Sequence, residues 1–372
     1  MLEGIRVVEL ATYIAAPAAA GIMADWGAEV IKVEQPGPGD DTRGWGPPFM
    51  EDKDGGRLTS SYNLACNRGK RSIAVDFATP DGQRIIKKLA ARSDVLVENF
   101  KYGGLKKYGL DYESLSKDNP RLIYCSITGF GQDGPYKTRA GYDLLVQGMG
   151  GIMDITGDPK GEPTRLGVAF ADVFTGTYSA LAICAALKER EHTGKGAHVD
   201  MALMDTMVGV LANQATYYLV SGTPPVRMGN AHASVVPYQT FPTKDGWMLI
   251  ACGNDGQFVK MMQVLGDPAM ADDERYKTNA GRVVNRETLI PRLFELTKKL
   301  SKQELAEKFE EAGVPAGPLG GIPVRRSAGR ARPPRRTPRA AGRRNSADCS
   351  RACRRDRYCR ARSGRHRAHE TC

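Results

Sequence analysis

Ile5-Arg6-Val7-Val8-Glu9-Leu10 is a short β-prone run, and the Ala-, Gly- and Met-rich segment Ala15 to Trp26 after it reads as a tightly packed helix. Gly27-Ala28 then turns the chain into Glu29-Val30-Ile31-Lys32-Val33-Glu34, a second strand. The alternation continues, with a strand over Ser72 to Asp76, a helix over Pro80 to Ser93, and strands at Asp94 to Asn99 and Leu122 to Thr128. Strands separated by helices of this length imply a parallel sheet with right-handed crossovers. The expected fold class is α/β, with a Rossmann-like, doubly wound large domain.

Such a sheet invites a dinucleotide reading, which requires G-x-G-x-x-G after the first strand so that pyrophosphate approaches the backbone. Here that turn is Ala11-Thr12-Tyr13-Ile14-Ala15-Ala16-Pro17, which contains no glycine. Glu34 ends the second strand as a ribose-binding acid would, but acids end strands for other reasons. A nicotinamide oxidoreductase is disfavoured.

Downstream, Asp172 to Glu191 carries Ala180, Leu181, Ile183 and Leu187 on a helical period, and a further helix is expected from Val199 to Val220. Gly222 to Pro225 breaks the chain. Pro237 to Phe241 and Trp247 to Cys252 form a hairpin around Lys244-Asp245-Gly246, and amphipathic helices follow near Arg286 to Lys299 and Ser301 to Ala312. The division expected is a large domain over residues 1–222, a smaller α+β domain over 223–322, and an atypical tail over 323–372.

The 372 residues carry a formal net charge of +11, but Pro323 to Cys372 holds 17 Arg, no Lys and three acids, a net +14. The other 322 residues therefore carry −3, and the basic balance gives no reason to assign nucleic-acid binding to the folded part. No run of eighteen apolar residues occurs and Met1 to Arg6 lacks a secretory plan, so a cytoplasmic protein without a membrane span is expected. Cys66, Cys125, Cys184 and Cys252 lie far apart in apolar contexts and read as free thiols. Cys349, Cys353, Cys359 and Cys372 fall in the tail, without the tight knuckles of a zinc site. From Pro323 onward there is no Leu, Ile, Phe, Met, Trp, Lys or Gln, so the tail is expected to be disordered. Translation of a shifted frame explains its abrupt start better than a nucleic-acid-binding arm or a metal module.

Asp172 sits in Gly167-Val168-Ala169-Phe170-Ala171-Asp172-Val173, at the start of the long helix. Locally, an N-cap is the commoner role for such an acid. A nucleophilic carboxylate at a partly desolvated helix end is the alternative.

The order of motifs resembles the family III CoA-transferases, the CaiB/BaiF group, over residues 3 to 322. The resemblance is carried by Ala28 to Glu34 with Gly39-Asp40-Asp41-Thr42-Arg43-Gly44-Trp45, by Asn67-Arg68-Gly69-Lys70-Arg71-Ser72-Ile73, and by Val97-Glu98-Asn99-Phe100. Ser126-Ile127-Thr128-Gly129-Phe130-Gly131, the Asp172 segment, Thr193-Gly194-Lys195-Gly196, Arg227 to His232 and Gly313 to Pro318 follow in register. The resemblance implies that Asp172 attacks an acyl-CoA thioester, passing through an aspartyl anhydride and an enzyme thioester. Coenzyme A or its acyl thioester is then a substrate, with no metal and no tightly bound cofactor. Backbone amides at the helix start would suit the oxyanion.

By the same resemblance Ile14 and Ala15 lie near the pantetheine, Val75-Asp76-Phe77-Ala78 beside the adenine, and Asn99, Phe100 and Lys107 along the nucleotide. Thr128, Gly129 and Phe130 line the acyl-CoA channel. Two subunits are expected to interlock as a ring-like homodimer. α-Methylacyl-CoA racemase, which shares the fold, needs a histidine where this chain has Tyr142, and a tyrosine with its pKa of about 10 is a poor base at neutral pH. Oxalate-specific relatives carry a glycine run where this chain has Ala231-His232-Ala233-Ser234-Val235. His232 either orients an acceptor carboxylate or caps its loop, and Arg43 is a candidate bidentate partner for a second substrate carboxylate. A succinyl-CoA and small-dicarboxylate system is expected, with carnitine-type acids as runner-up. The rival outside enzymology is nucleic-acid binding through the Arg-rich tail.

Overall fold

The structure, a computed structural model, describes residues 1–320. The chain runs β1 (Arg6–Leu10), α1 (Ala15–Asp25), β2 (Glu29–Glu34), a hairpin of β3 (Phe49–Glu51) and β4 (Arg57–Ser60), α2 (Ser61–Asn67), β5 (Arg71–Ala74) and α3 (Pro80–Ala90). It continues through β6 (Val95–Glu98), α4 (Tyr112–Asp118), β7 (Ile123–Thr128), α5 (Asp143–Met149), α6 (Phe170–Thr193), β8 (Ala197–Ala202), α7 (Leu203–Val210) and α8 (Asn213–Ser221). After these come β9 (Tyr238–Thr243), β10 (Gly246–Ala251), α9 (Asp255–Leu265), α10 (Ala269–Asp272), α11 (Asn279–Val284), α12 (Arg286–Thr297), α13 (Lys302–Ala312) and β11 (Ala316–Pro318).

Six parallel strands form one sheet in the order β5-β2-β1-β6-β7-β8. The chain reverses its direction of travel across the sheet between β1 and β6, and in such sheets ligands sit outside the strand ends at that point. β1 is apolar on both faces because both are covered. Val7 packs with Ala15, Ala16 and Ala19 of α1, while Val8 and Leu10 pack with Val33, Ile86 and Leu96 on the other side. Small residues in α1 let α6 approach closely: a Cβ on Gly176 would lie 2.6 Å from the Ala15 carbonyl oxygen. α6 is long and apolar enough by length and composition alone to cross a membrane, yet Thr175, Gly176, Ser179, Ala180 and Ile183 are buried within the protein.

The helix expected over Val199 to Val220 is corrected. Residues Ala197–Ala202 are the sixth strand, paired with β7 from Ile123↔Ala197 to Thr128↔Ala202. Gly194 ends α6 in the left-handed region at φ 69°, and the Gly196 amide bonds the Pro120 carbonyl, which starts the strand beside β7. The strand passes into α7 without Gly or Pro between them, so no local signal marks the boundary. Ala212, at φ 46°, then separates α8 from α7.

The hairpin about Lys244-Asp245-Gly246 is β9 and β10, and β11 completes a three-stranded antiparallel sheet in the order β11-β10-β9. Its hydrophobic core, from Val236 to Val314, is built apart from those of the large sheet, although Met1–Leu319 form one compact unit. A capping box between Ser301 and Glu304 starts α13. Cys66, Cys125 and Cys252 are buried free thiols and Cys184 is a half-buried one. The expected tail disorder, the shifted frame, the zinc alternative and the nucleic-acid arm concern residues outside those described.

Candidate active site

Asp172 is the third residue of α6, half-buried and inside the helix, so it is not the cap that its local sequence suggested. The capping carboxylate comes from another helix. Asp143, first residue of α5, accepts the Ala171 amide at 2.8 Å and the Asp172 amide at 3.4 Å through Oδ1. The Phe170 amide donates to the Val168 carbonyl at 2.8 Å. The amides at the start of α6 are therefore occupied, which corrects the expectation that they serve an oxyanion. Among the described residues, the Asp172 carboxylate accepts no hydrogen bond. Burial, and secondarily the like charge of Asp143, push its pKa up to about 7.

A row of aromatic rings approaches this point. Tyr62 packs edge-on against Trp45 at 5.4 Å, Trp45 lies 5.4 Å from Tyr13, and Tyr13 lies 6.3 Å from Tyr142, the residue before Asp143. Tyr13 is held at φ 66°, an uncommon backbone state for a non-glycine residue. Its hydroxyl is pushed up to about 12 by burial and by its hydrogen bond with Asp41. Ile14 and Ala15 follow it into α1, and Ala15 touches α6 at Gly176, one turn beyond Asp172.

The residues expected along a nucleotide also converge. Asn99, just past β6, accepts the Thr12 amide at 3.1 Å and donates to the Thr12 carbonyl at 2.7 Å, closing the crevice where the sheet reverses direction. Phe77 packs edge-on against Phe100 and Tyr108, each at 5.4 Å, and the Lys107 ammonium lies 4.7 Å from the Tyr108 ring centre. Val75 is buried behind them, and Asp76 accepts the Ala78 amide at 2.9 Å, shaping the turn. Thr128 accepts the Gly131 amide, Gly129 accepts the Met204 amide, and Phe130 packs on Tyr136. Packing, hydrogen bonds and chain adjacency thus link Lys107, Tyr108, Phe77, Phe100, Asn99, Thr12, Tyr13, Tyr142 and Asp143 in one line of neighbours to the start of α6.

Buried charges fix the loops on this line. Lys32 bonds Glu9 at 2.6 Å, Asp40 at 2.8 Å and the Ala11 carbonyl at 2.9 Å. Lys70 bonds the other oxygen of Glu9 at 2.6 Å, with the Pro17 carbonyl and Asn67. Burial disfavours both ammonium charges. Glu9 and Asp40 together outweigh it at Lys32, which is raised, whereas Lys70 is lowered. The loop carrying Tyr13 and the loop carrying Trp45 are therefore both anchored to Lys32.

Arg43 is already paired within the chain. Its guanidinium holds Glu34 through two bonds of 2.6 and 2.7 Å, so the bidentate face expected for a second substrate carboxylate is turned to Glu34. Burial opposes charge on Glu34, but bonds from Arg43, Ser72 and the Asp40 amide outweigh it and hold the carboxyl near about 2. His232 accepts the Ser234 amide at 3.0 Å through Nδ1 and so caps its own loop. Tyr13, Tyr62, Asp143, Gln147 and the Glu9–Lys32–Asp40–Lys70 network were missed in the sequence. The one usable signal was Tyr142-Asp143 followed at the fourth position by Gln147, an acid and an amide on one helical face.

A second polar cluster lies one strand away, lining a cavity of about 290 Å³. Glu98 accepts the Phe100 amide at 2.8 Å, and Ser126 lies 2.9 Å from His198, whose ring stacks on Tyr112. Among the described residues, no group of three or more His, Cys, Asp or Glu is arranged to hold a metal ion.

The family model described as CoA-transferase family III matches residues 2–323. The chain is 54% identical over 321 residues to the succinate–glutarate CoA-transferase of Agrobacterium fabrum (strain C58 / ATCC 33970), covering 86% of this chain and 80% of that protein. It is 45% identical over 321 residues to the succinyl-CoA:glutarate CoA-transferase of Homo sapiens, covering 86% and 72%. The crystal structure of a CaiB/BaiF family protein from Brucella suis superposes with a TM-score of 0.78 at 56% identity, covering 86% of this chain and 84% of that one.

Proposed function

The chain belongs to CoA-transferase family III, and from that premise we propose that it moves CoA from succinyl-CoA to a small dicarboxylate such as glutarate, with Asp172 as the nucleophile. The observation that carries this is the Asp172 carboxylate itself: half-buried, free of hydrogen bonds among the described residues, and on the helix turn that Asp143 holds at the end of the aromatic row Tyr62–Trp45–Tyr13–Tyr142. Relatives named for succinate and glutarate support the choice of substrates.

In this reading the Asp172 carboxylate adds to the thioester carbonyl of succinyl-CoA. The C–S bond breaks, leaving a succinyl–aspartyl anhydride and CoA thiolate. The thiolate attacks the Asp172 carbonyl, expels succinate and forms an aspartyl thioester. The acceptor carboxylate attacks that thioester, giving a second anhydride and thiolate. Attack of the thiolate on the acceptor's carbonyl then yields the new acyl-CoA and regenerates Asp172. Each step exchanges one activated acyl bond for another, and water must be kept from the anhydrides. Ile14, Ala15, Phe77, Asn99, Phe100 and Lys107 are assigned to the CoA along this line. Mass spectrometry of the Asp172 peptide after succinyl-CoA tests the mechanism: an acyl or CoA adduct is expected, and full transfer activity in Asp172→Ala would overturn it.

A homodimer is part of the proposal. Leu181, Val208, Leu219 and Val220 are exposed on α6, α7 and α8, the last two at 79% and 83%, which is a large apolar surface for one chain to leave in water. Light scattering on the full chain tests it, and a well-folded monomer would overturn it. Translation in a shifted frame is our reading of the segment beyond residue 323, where the family match ends. Resequencing the gene about the Pro323 codon checks it, and an unaltered frame in independent clones would refute it.

A further inference from the structure

Asp143 does more than begin a helix. Its Oδ1 occupies the Ala171 and Asp172 amides, and its Oδ2 accepts the Gln147 side-chain amide at 2.7 Å. Gln147 is fully buried, and its own oxygen accepts the Leu166 amide at 2.9 Å. One carboxylate and one amide from α5 therefore fix both the segment leading into α6 and the first turn of α6.

An aspartate in the first turn of a helix is ordinarily drawn onto the unpaired amides there, by hydrogen bonding and by the helix dipole. Were Asp172 to settle in that way, its oxygens would be engaged and its reactivity lowered. The amides that would draw it in are already filled. We propose that Asp143 is a positioning residue for Asp172: by taking the amides at the start of α6, it keeps the Asp172 carboxylate unbonded and open to the thioester. This rests on the reading of Asp172 as the nucleophile. The negative charge on Asp143 adds to the same end, since like charge discourages a second carboxylate from approaching those amides.

The experiment uses the full-length chain with Asp143→Asn and Asp143→Ala. Asparagine retains one oxygen for the Ala171 amide but removes the charge and the acceptor for the Gln147 amide; alanine removes all three. For Asp143→Asn we expect the acid limb of kcat/KM for succinyl-CoA to move down by about one pH unit. Its kcat should fall roughly ten-fold while KM for succinyl-CoA holds, because the nucleophile becomes less basic. For Asp143→Ala, Asp172 is free to fold onto its own helix, and kcat should fall by about a hundred-fold. Labelling of Asp172 by a water-soluble carbodiimide across pH, read by mass spectrometry without substrate, follows the same ionisation in enzyme that does not turn over. An unchanged labelling profile and acid limb in Asp143→Asn would overturn the proposal. So would rate losses in both variants that follow only a lower melting temperature. Failure to trap any adduct on Asp172 in the unaltered protein would instead sink the nucleophile reading, and it is scored separately from the carbodiimide profile.

Discussion

Gly129 and Gly141 meet backbone to backbone: a Cβ placed on Gly129 would lie 2.5 Å from the Gly141 Cα. No side chain fits between the end of β7 and the segment that leads into Tyr142 and Asp143. The contact holds the segment leading into α5, which carries Asp143 to the Ala171 amide, directly against the end of β7.

Gly141→Ala should therefore separate these segments while leaving both cores in place. We expect a fall in kcat of roughly ten- to a hundred-fold, from sub-ångström to ångström displacement of the catalytic group. Parallel measurement of kcat and the thermal midpoint checks this, and a variant with unaltered kcat would contradict it.

Asp172 must be ionised to attack, and its pKa is raised to about 7. Activity should rise as pH increases through that value and fall below it, with the acid limb of kcat/KM centred near it. A rate–pH profile for succinyl-CoA and glutarate provides the measurement. A limb near the ordinary carboxyl value would show that Asp172 is not desolvated in the free enzyme.

Lys32 is 2% exposed and neutralises Glu9 and Asp40, both buried. Lys32→Met leaves those carboxylates short of a partner, and such a change costs about 3–5 kcal/mol. Denaturant unfolding should show the loss, and transfer activity should fall with it, because the loops carrying Tyr13 and Trp45 share this anchor. A loss below 1 kcal/mol, about the worth of a surface ion pair, would argue against the network's role.

Glu98 is buried, and burial, reinforced by repulsion from Asp200, raises its pKa from 4.5 to about 7 against the bonds from Ser126 and the Phe100 amide. Tyr124 and His198 complete its surroundings, on β7 and β8. Between those two values the folded protein keeps a proton that the unfolded chain has released. The contribution of Glu98 to stability therefore declines as pH rises through this window, by on the order of 3 kcal/mol, and stays low above it. Glu98→Gln should remove that decline, giving a higher denaturation midpoint than the parent at pH 8 and little difference at pH 4.5. Urea titrations at the two pH values decide it.

The alternation of apolar strands and Ala-rich helices from Ile5 to Thr128 determined the parallel sheet, because period and turn chemistry are local properties of the chain. The helical period of Ala180, Leu181, Ile183 and Leu187 likewise placed Asp172 near a helix start. The sixth strand was not legible, since Val199-Asp200-Met201-Ala202 runs into a helix without a breaking residue, and only pairing with β7 makes it extended. The carboxylate that meets the Asp172 amide was likewise decided by tertiary contacts, whereas the partner of His232, the Ser234 amide, is local. Asp143 reaches Asp172 across 29 positions of sequence, and Lys32 finds Glu9 across 23. A side chain's residue type fixes what it can bond. Which donor or acceptor arrives first, and whether water is excluded around the pair, depends on how distant segments pack.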